Sequence, residues 1–256
     1  MKLAFYISSF LFIGSIFSLE ISPEQAEKIA EKIWYHESAH QVERSDLLTF
    51  WNKVEPFPSL GIGHFIWPPK SYNGVFASGK FHEVITFLKA QGANVPKWLE
   101  EAKHCPWETR EAFYEDFESD KMEELRELLL ATKPLQALYM CQSLEVFQTK
   151  LEKDSKASLI FETLSESGTG IYMLIDYLNF KGAGSDPNRN YQGFGWGLLN
   201  VFENVQLDFF EKDPISSFRI AAKYTLMRRI LHAKDPIAEE KWIQNWFERL
   251  DSYRED

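Results

Sequence analysis

The first residue placed to do chemistry lies at the end of a helical pattern. Ala26, Ile29, Ala30, Ile33 and Trp34 form an apolar stripe, and Glu37 stands four after Ile33, where the next apolar residue belongs. A carboxyl on an apolar face keeps its proton near neutral pH, because desolvation disfavours the charged form. Such a group is a general acid. Breaking a glycosidic bond needs one for the leaving oxygen and usually a second carboxylate on the opposite face. The polar loop beyond Glu37 offers Glu43, Asp46 and Glu55, ahead of Ser59-Leu60-Gly61-Ile62-Gly63-His64. A rival chemistry overlaps it: His36-Glu37-Ser38-Ala39-His40 meets the His-Glu-x-x-His spacing of a zinc peptidase helix. Against it, the helical pattern stops near Gln41, and the Gly-Ile-Gly-His segment would be left without a role. No metal or cofactor is otherwise indicated.

Residues that could hold a sugar lie further along. Trp51 and Trp67 flank the Gly-Ile-Gly-His segment, and Trp196 sits within Gly193-Phe194-Gly195-Trp196-Gly197. Each is a candidate for stacking on a sugar ring, with core packing as the alternative. Asp176 and Asn179 are three apart on one helix face and could bind a sugar hydroxyl, or serve as a cap or a buried structural hydrogen bond.

The elements that must position these groups are mostly helical. Ser22-Pro23-Glu24-Gln25 reads as a capping box with proline at the first helical position. Leu60 to Trp67 reads as a short strand or hairpin, stopped by Pro68-Pro69. From Phe81 the helical period returns. Phe81, Val84, Ile85 and Leu88 mark one helix, Leu125, Leu128 and Leu129 another, and Leu135, Leu138 and Tyr139 a third. Ile171 to Phe180 reads as a buried helix, and Asp213-Pro214 and Asp235-Pro236 as starts of the last two helices. The final one carries Ile243, Trp246, Phe247 and Leu250 inward. The glycine clusters after Lys181 and Gly193 lack the Lys and Ser/Thr of a phosphate loop.

A helix ending in Glu, a polar loop, then Ser-x-Gly-x-Gly-His resembles the active-site region of the phage-type lysozymes, within the wider lysozyme-like superfamily. Asp176 to Gly184 is similar to that family's second signature, a buried helix ending in a turn beside the cleft. The resemblance covers about a third of the chain in two patches. The loop between Glu37 and Ser59 is longer than usual there, so the chain reads as a divergent relative. The resemblance implies a mainly α (α+β lysozyme-like) fold, with a helical lobe and a small β-hairpin bordering a cleft. It implies that Glu37 is the general acid, that Ser59 orients the attacking water, and that Gly61, Gly63 and His64 shape the cleft floor. The glycines there would let sugar approach the backbone closely. Where the family has its second acid, six before Ser59, this chain has Lys53; Glu55 is the nearest substitute and Asp46 the reserve.

Composition sets the frame. The 256 residues, 45% hydrophobic, are enough for one domain with a full core. A formal charge of −10 disfavours nucleic acid or an anionic membrane as partner. Lys2 followed by the apolar run Leu3–Phe17 is the pattern of a secretory signal peptide over residues 1–18, leaving a single lysozyme-like domain at 19–256. An exported, periplasmic or secreted protein follows, a monomer with no stable membrane insertion after cleavage. In that compartment Cys105 and Cys141 could pair or remain buried thiols. The expected function is cleavage of peptidoglycan or a related amino-sugar polysaccharide. A lytic transglycosylase, which manages with one acid, is a variant of that reading. The alternative is a non-catalytic wall-binding module that keeps the cleft.

Overall fold

A computed structural model describes residues 19, 21–151, 153–186 and 188–254; the signal-peptide expectation at 1–18 lies outside the described residues. The chain is mainly helical, with two small antiparallel sheets. Helix α1 (Pro23–Glu37) starts as its sequence predicts: Ser22 Oγ accepts from the Gln25 N–H at 3.2 Å, and Gln25 Oε1 accepts from the Ser22 N–H at 2.8 Å. Its apolar stripe is buried to the last member. The helix cannot run on, because Ala39 and His40 take left-handed backbone (φ 49° and 69°). The Trp34 indole N–H donates to the Val42 carbonyl at 2.9 Å and ties the outgoing loop to the helix.

That loop passes through a single helical turn at Ser45–Leu48 into a three-stranded antiparallel sheet of β1 (Thr49–Phe50), β2 (Ser59–Leu60) and β3 (Phe65–Ile66). Ser59 pairs with Phe50 on one side and Ile66 on the other. The expected hairpin is present, with Gly61 to His64 as its turn and a third strand added before it.

The rest is helical: α2 (Phe81–Ala90), α3 (Lys97–Glu101), α4 (Arg110–Glu115), α5 (Asp120–Ala131), α6 (Lys133–Gln148), α7 (Ser155–Ser165) and α8 (Gly168–Lys181). A second hairpin, β4 (Asn190–Tyr191) and β5 (Phe194–Gly195), occupies the glycine-rich segment. Then follow α9 (Leu198–Asn204), α10 (Leu207–Phe210), α11 (Pro214–His232), α12 (Pro236–Glu240) and α13 (Ile243–Asp251). Asp213 and Asp235 cap α11 and α12 as expected. The helix opened by Asp235-Pro236 stops at Glu240, however, and the inward stripe from Ile243 belongs to the separate α13.

α1 lies along α6 and touches α8, while α11 is packed against α9, α10 and α13. One continuous apolar core joins these helices to the first sheet. Cys105 and Cys141 are both free and buried, and burial pushes their thiols up to about 12 and about 11. No helix among the described residues is long and apolar enough to cross a membrane.

Candidate active site

The end of α1 brings Glu37 against two groups distant in sequence. Its Oε1 accepts a hydrogen bond from Arg249 of α13 at 2.8 Å, and its Oε2 lies 3.1 Å from Nδ1 of His64 in the hairpin turn. The Glu37 side chain is 12% exposed, so the carboxylate is inside the protein with one edge toward solvent. Arg249 is itself buried, and its Nε and Nη2 bind both oxygens of Asp176 at 2.9 and 2.7 Å. The Tyr253 hydroxyl also donates to Asp176, and the guanidinium rests on the Phe180 ring, 4.3 Å from its centroid. One cation thus serves two carboxylates, which is how buried charges are tolerated.

This overturns the environment expected for Glu37. Burial does pull its carboxyl upward, as the apolar stripe predicts. Arg249 and then His64 outweigh that and hold it below the ordinary carboxylate value. In the free protein Glu37 is an anion in an ion pair. Beside it, Lys181 at the end of α8 is buried with its ammonium 3.7 Å from the centroids of Phe180 and Trp246, and burial depresses its pKa well below the usual lysine range.

Glu55 is on the surface side of the loop between β1 and β2. Partial burial raises its carboxyl, opposed by the charge of His64. The charge of His64 thus lowers both Glu37 and Glu55. Asp46, the reserve, is tied up by Arg44 through Nε at 2.7 Å and Nη2 at 2.5 Å. Ser59 is in the central strand, 9% exposed.

The glycines of the turn do other work than predicted. A Cβ on Gly61 would meet Gln136 Oε1 at 2.3 Å, and one on Gly63 would meet the Phe65 ring at 2.4 Å. The space that glycine leaves is thus filled by protein, and a sugar does not need it. Gln136, buried in α6, accepts from the Ile62 N–H at 2.9 Å and donates to the Leu129 carbonyl at 2.7 Å, fixing the turn to the helical lobe. Gly61 also has φ +70°, and His64 itself is left-handed at φ +46°.

All three tryptophans that were candidates for stacking on sugar take the alternative, as core residues. Trp51 is 2% exposed, packs edge-on to Phe113, and donates to the Glu55 carbonyl. Trp67 is 1% exposed among Phe81, Trp98 and Trp107. Trp196 is 7% exposed, against Tyr191 and under the Arg229 guanidinium. Burying these large rings gains more than exposing them, so the core claimed them. Asp176 and Asn179 are separated in role as well. Asp176 is fully buried and saturated by Arg249 and Tyr253, which excludes a sugar hydroxyl. Asn179 borders a pocket of about 160 Å³ with Phe65, Tyr139 and Ser143.

The zinc reading also loses its geometry. His40 is outside α1 and stacks on Tyr35 at 4.2 Å, while His36 Nε2 is bonded to Ser252 Oγ at 2.9 Å. No group of three or more His, Cys, Asp or Glu able to hold a metal occurs among the described residues.

Sequence reasoning missed Arg249, Tyr253 and Gln136. The signal was present: Arg249 shares the inward face of Trp246 and Leu250, as Glu37 shares that of Ile33. Opposite charges on two apolar faces, with Asp176 in a third buried helix, point to one another because an unpaired buried charge is too costly. Comparison with protein-family models, with curated proteins and with solved structures finds no match.

Proposed function

We propose that the chain is a glycoside hydrolase of the lysozyme-like type, acting on peptidoglycan or a related amino-sugar polysaccharide. The observation that supports it best is the Glu37–His64 contact, in which Oε2 lies 3.1 Å from Nδ1. A helix-end carboxylate meets the turn of a Gly-Ile-Gly-His hairpin, and a second carboxyl, Glu55, is carried by the loop between β1 and β2 of the same sheet. Inverting glycosidases need such a pair with room for water between them.

Glu37 reaches its acid form during binding. Arg249 fixes Oε1, so Oε2 is the oxygen that faces the glycosidic bond. A sugar displacing His64 from Oε2 removes one of the charges that lower the carboxyl and excludes water, both of which favour the proton. Glu55, on the open side, acts as the base for water, with Ser59 orienting it. Glu37→Gln keeps the Arg249 hydrogen bond and removes the proton donor. Turnover of peptidoglycan is expected to fall by about 100-fold or more. An unchanged rate would remove Glu37 from the chemistry.

A second reading is a non-catalytic wall-binding module. The ion-paired state of Glu37 and the presence of Lys53 at the family's acid position favour it. Co-sedimentation with purified sacculi without release of soluble fragments would support this reading over the first.

A further inference from the structure

Beside the Arg249 clamp, the flank of α1 borders a separate pocket of about 570 Å³. It opens between α1, Val42, the first residue of α6 and the segment after α13. That volume falls in the range of small-molecule sites, roughly 300–1,000 Å³. Its walls combine two kinds of surface. Tyr35 and Val42 are 46% and 48% exposed, which leaves apolar area in contact with water. Lys133 and Arg254 supply positive charge, and neither is in an ion pair among the described residues. Glu31 is the one acid lining it among those residues. This cationic lining stands on a chain of formal charge −10. At its floor His36 Nε2 is 2.9 Å from Ser252 Oγ, which in turn donates to the Arg249 carbonyl at 2.6 Å.

We propose that this pocket binds a small carboxylate carried on a planar or apolar body, its charge between Lys133 and Arg254 and its body against Tyr35 and Val42. A guanidinium and an ammonium pair with a carboxylate, and Val42 and the Tyr35 face not covered by His40 lose water to a flat partner. The site is independent of the glycosidase reading.

The probes that separate charge from shape are indole-3-acetate, tryptamine and acetate. The first two share a ring system with opposite charge, and the third has the charge without the ring. Binding to the whole protein is read from the imidazole resonances of His36 by NMR with histidine labelling, with His104 as an internal reference. Indole-3-acetate is expected to shift His36 saturably and leave His104 in place, with tryptamine and acetate at least tenfold weaker. In the Lys133→Glu, Arg254→Glu double variant the indole-3-acetate affinity falls at least tenfold. Glu at the first position of α6 suits the helix dipole, so the variant is expected to fold, and its circular dichroism and Tm check this. The single Arg254→Glu variant, expected to weaken binding severalfold, carries the test if the double variant is unstable. An unshifted His36, equal binding of tryptamine or acetate, or indifference to charge reversal would each overturn the proposal.

Discussion

At the scale of single residues, environment decides what a carboxyl does. Glu37 and Glu55 are chemically alike, yet the two are pushed in opposite directions. Arg249 and His64 overcome burial at Glu37, whereas at Glu55 the partial desolvation of a surface carboxyl outweighs the charge of His64. Glu55 is exposed at the surface, so Glu55→Gln is expected to change stability by no more than about 0.5 kcal/mol. If it is the base, the same variant loses about 100- to 10,000-fold in turnover. Measuring Tm and turnover together separates the two effects, and a rate within twofold of wild type would show that Glu55 takes no part. Arg249 makes the opposite prediction. Arg249→Met strands Glu37 and Asp176 as buried carboxylates and is expected to cost about 3–5 kcal/mol in urea unfolding. A loss below about 1 kcal/mol would mean that the two carboxylates find other partners.

At the scale of elements, the hairpin turn depends on α6. Gly61→Ala forces a side chain into left-handed backbone, at about 1–3 kcal/mol. It also crowds Gln136 Oε1, the atom that holds the Ile62 N–H. Losing that hydrogen bond adds about 1 kcal/mol. Gly193→Ala is the control, since it has φ +84° but nothing within 4 Å of the added carbon. Denaturation midpoints are expected to fall further for Gly61→Ala than for Gly193→Ala; equal shifts would show that Gln136 yields freely. Much of the element plan was legible because it rests on local signals. The Ser22/Gln25 capping box, the aspartate-proline starts and the 3.6-residue stripes act within a few residues of themselves. What was illegible depends on partners far along the chain. Gln136 meets Ile62 across 74 positions, and Arg249 meets Glu37 across 212. The tryptophans failed for a related reason: spacing beside a glycine-rich turn says nothing of which ring the core will cover.

At the scale of the whole molecule, the Glu37–Arg249–Asp176 cluster joins α1, α8 and α13, the first and last helices of the described chain among them. Its pH dependence follows from the sign of the Glu37 shift. The folded-state carboxyl is held below its ordinary value of 4.5, so the unfolded chain binds the proton more readily. The stability contributed by the pair is then full above about pH 4.5 and fades as pH falls through the lower folded-state value. Urea unfolding at pH 7, 5 and 3.5 is expected to show that loss in wild type and a shallower one in Glu37→Gln. Identical pH slopes for the two would contradict the ion pair.

We propose that Glu37 donates the proton in glycosidic cleavage. It is tested most directly by digesting purified peptidoglycan sacculi with wild type and Glu37→Gln, with mass analysis of the soluble fragments. Reducing muropeptides from wild type, and at least 100-fold fewer from Glu37→Gln that circular dichroism shows to be folded at the assay temperature, are the predicted result. Equal release by both proteins, or no release by wild type from any amino-sugar polymer, would contradict it.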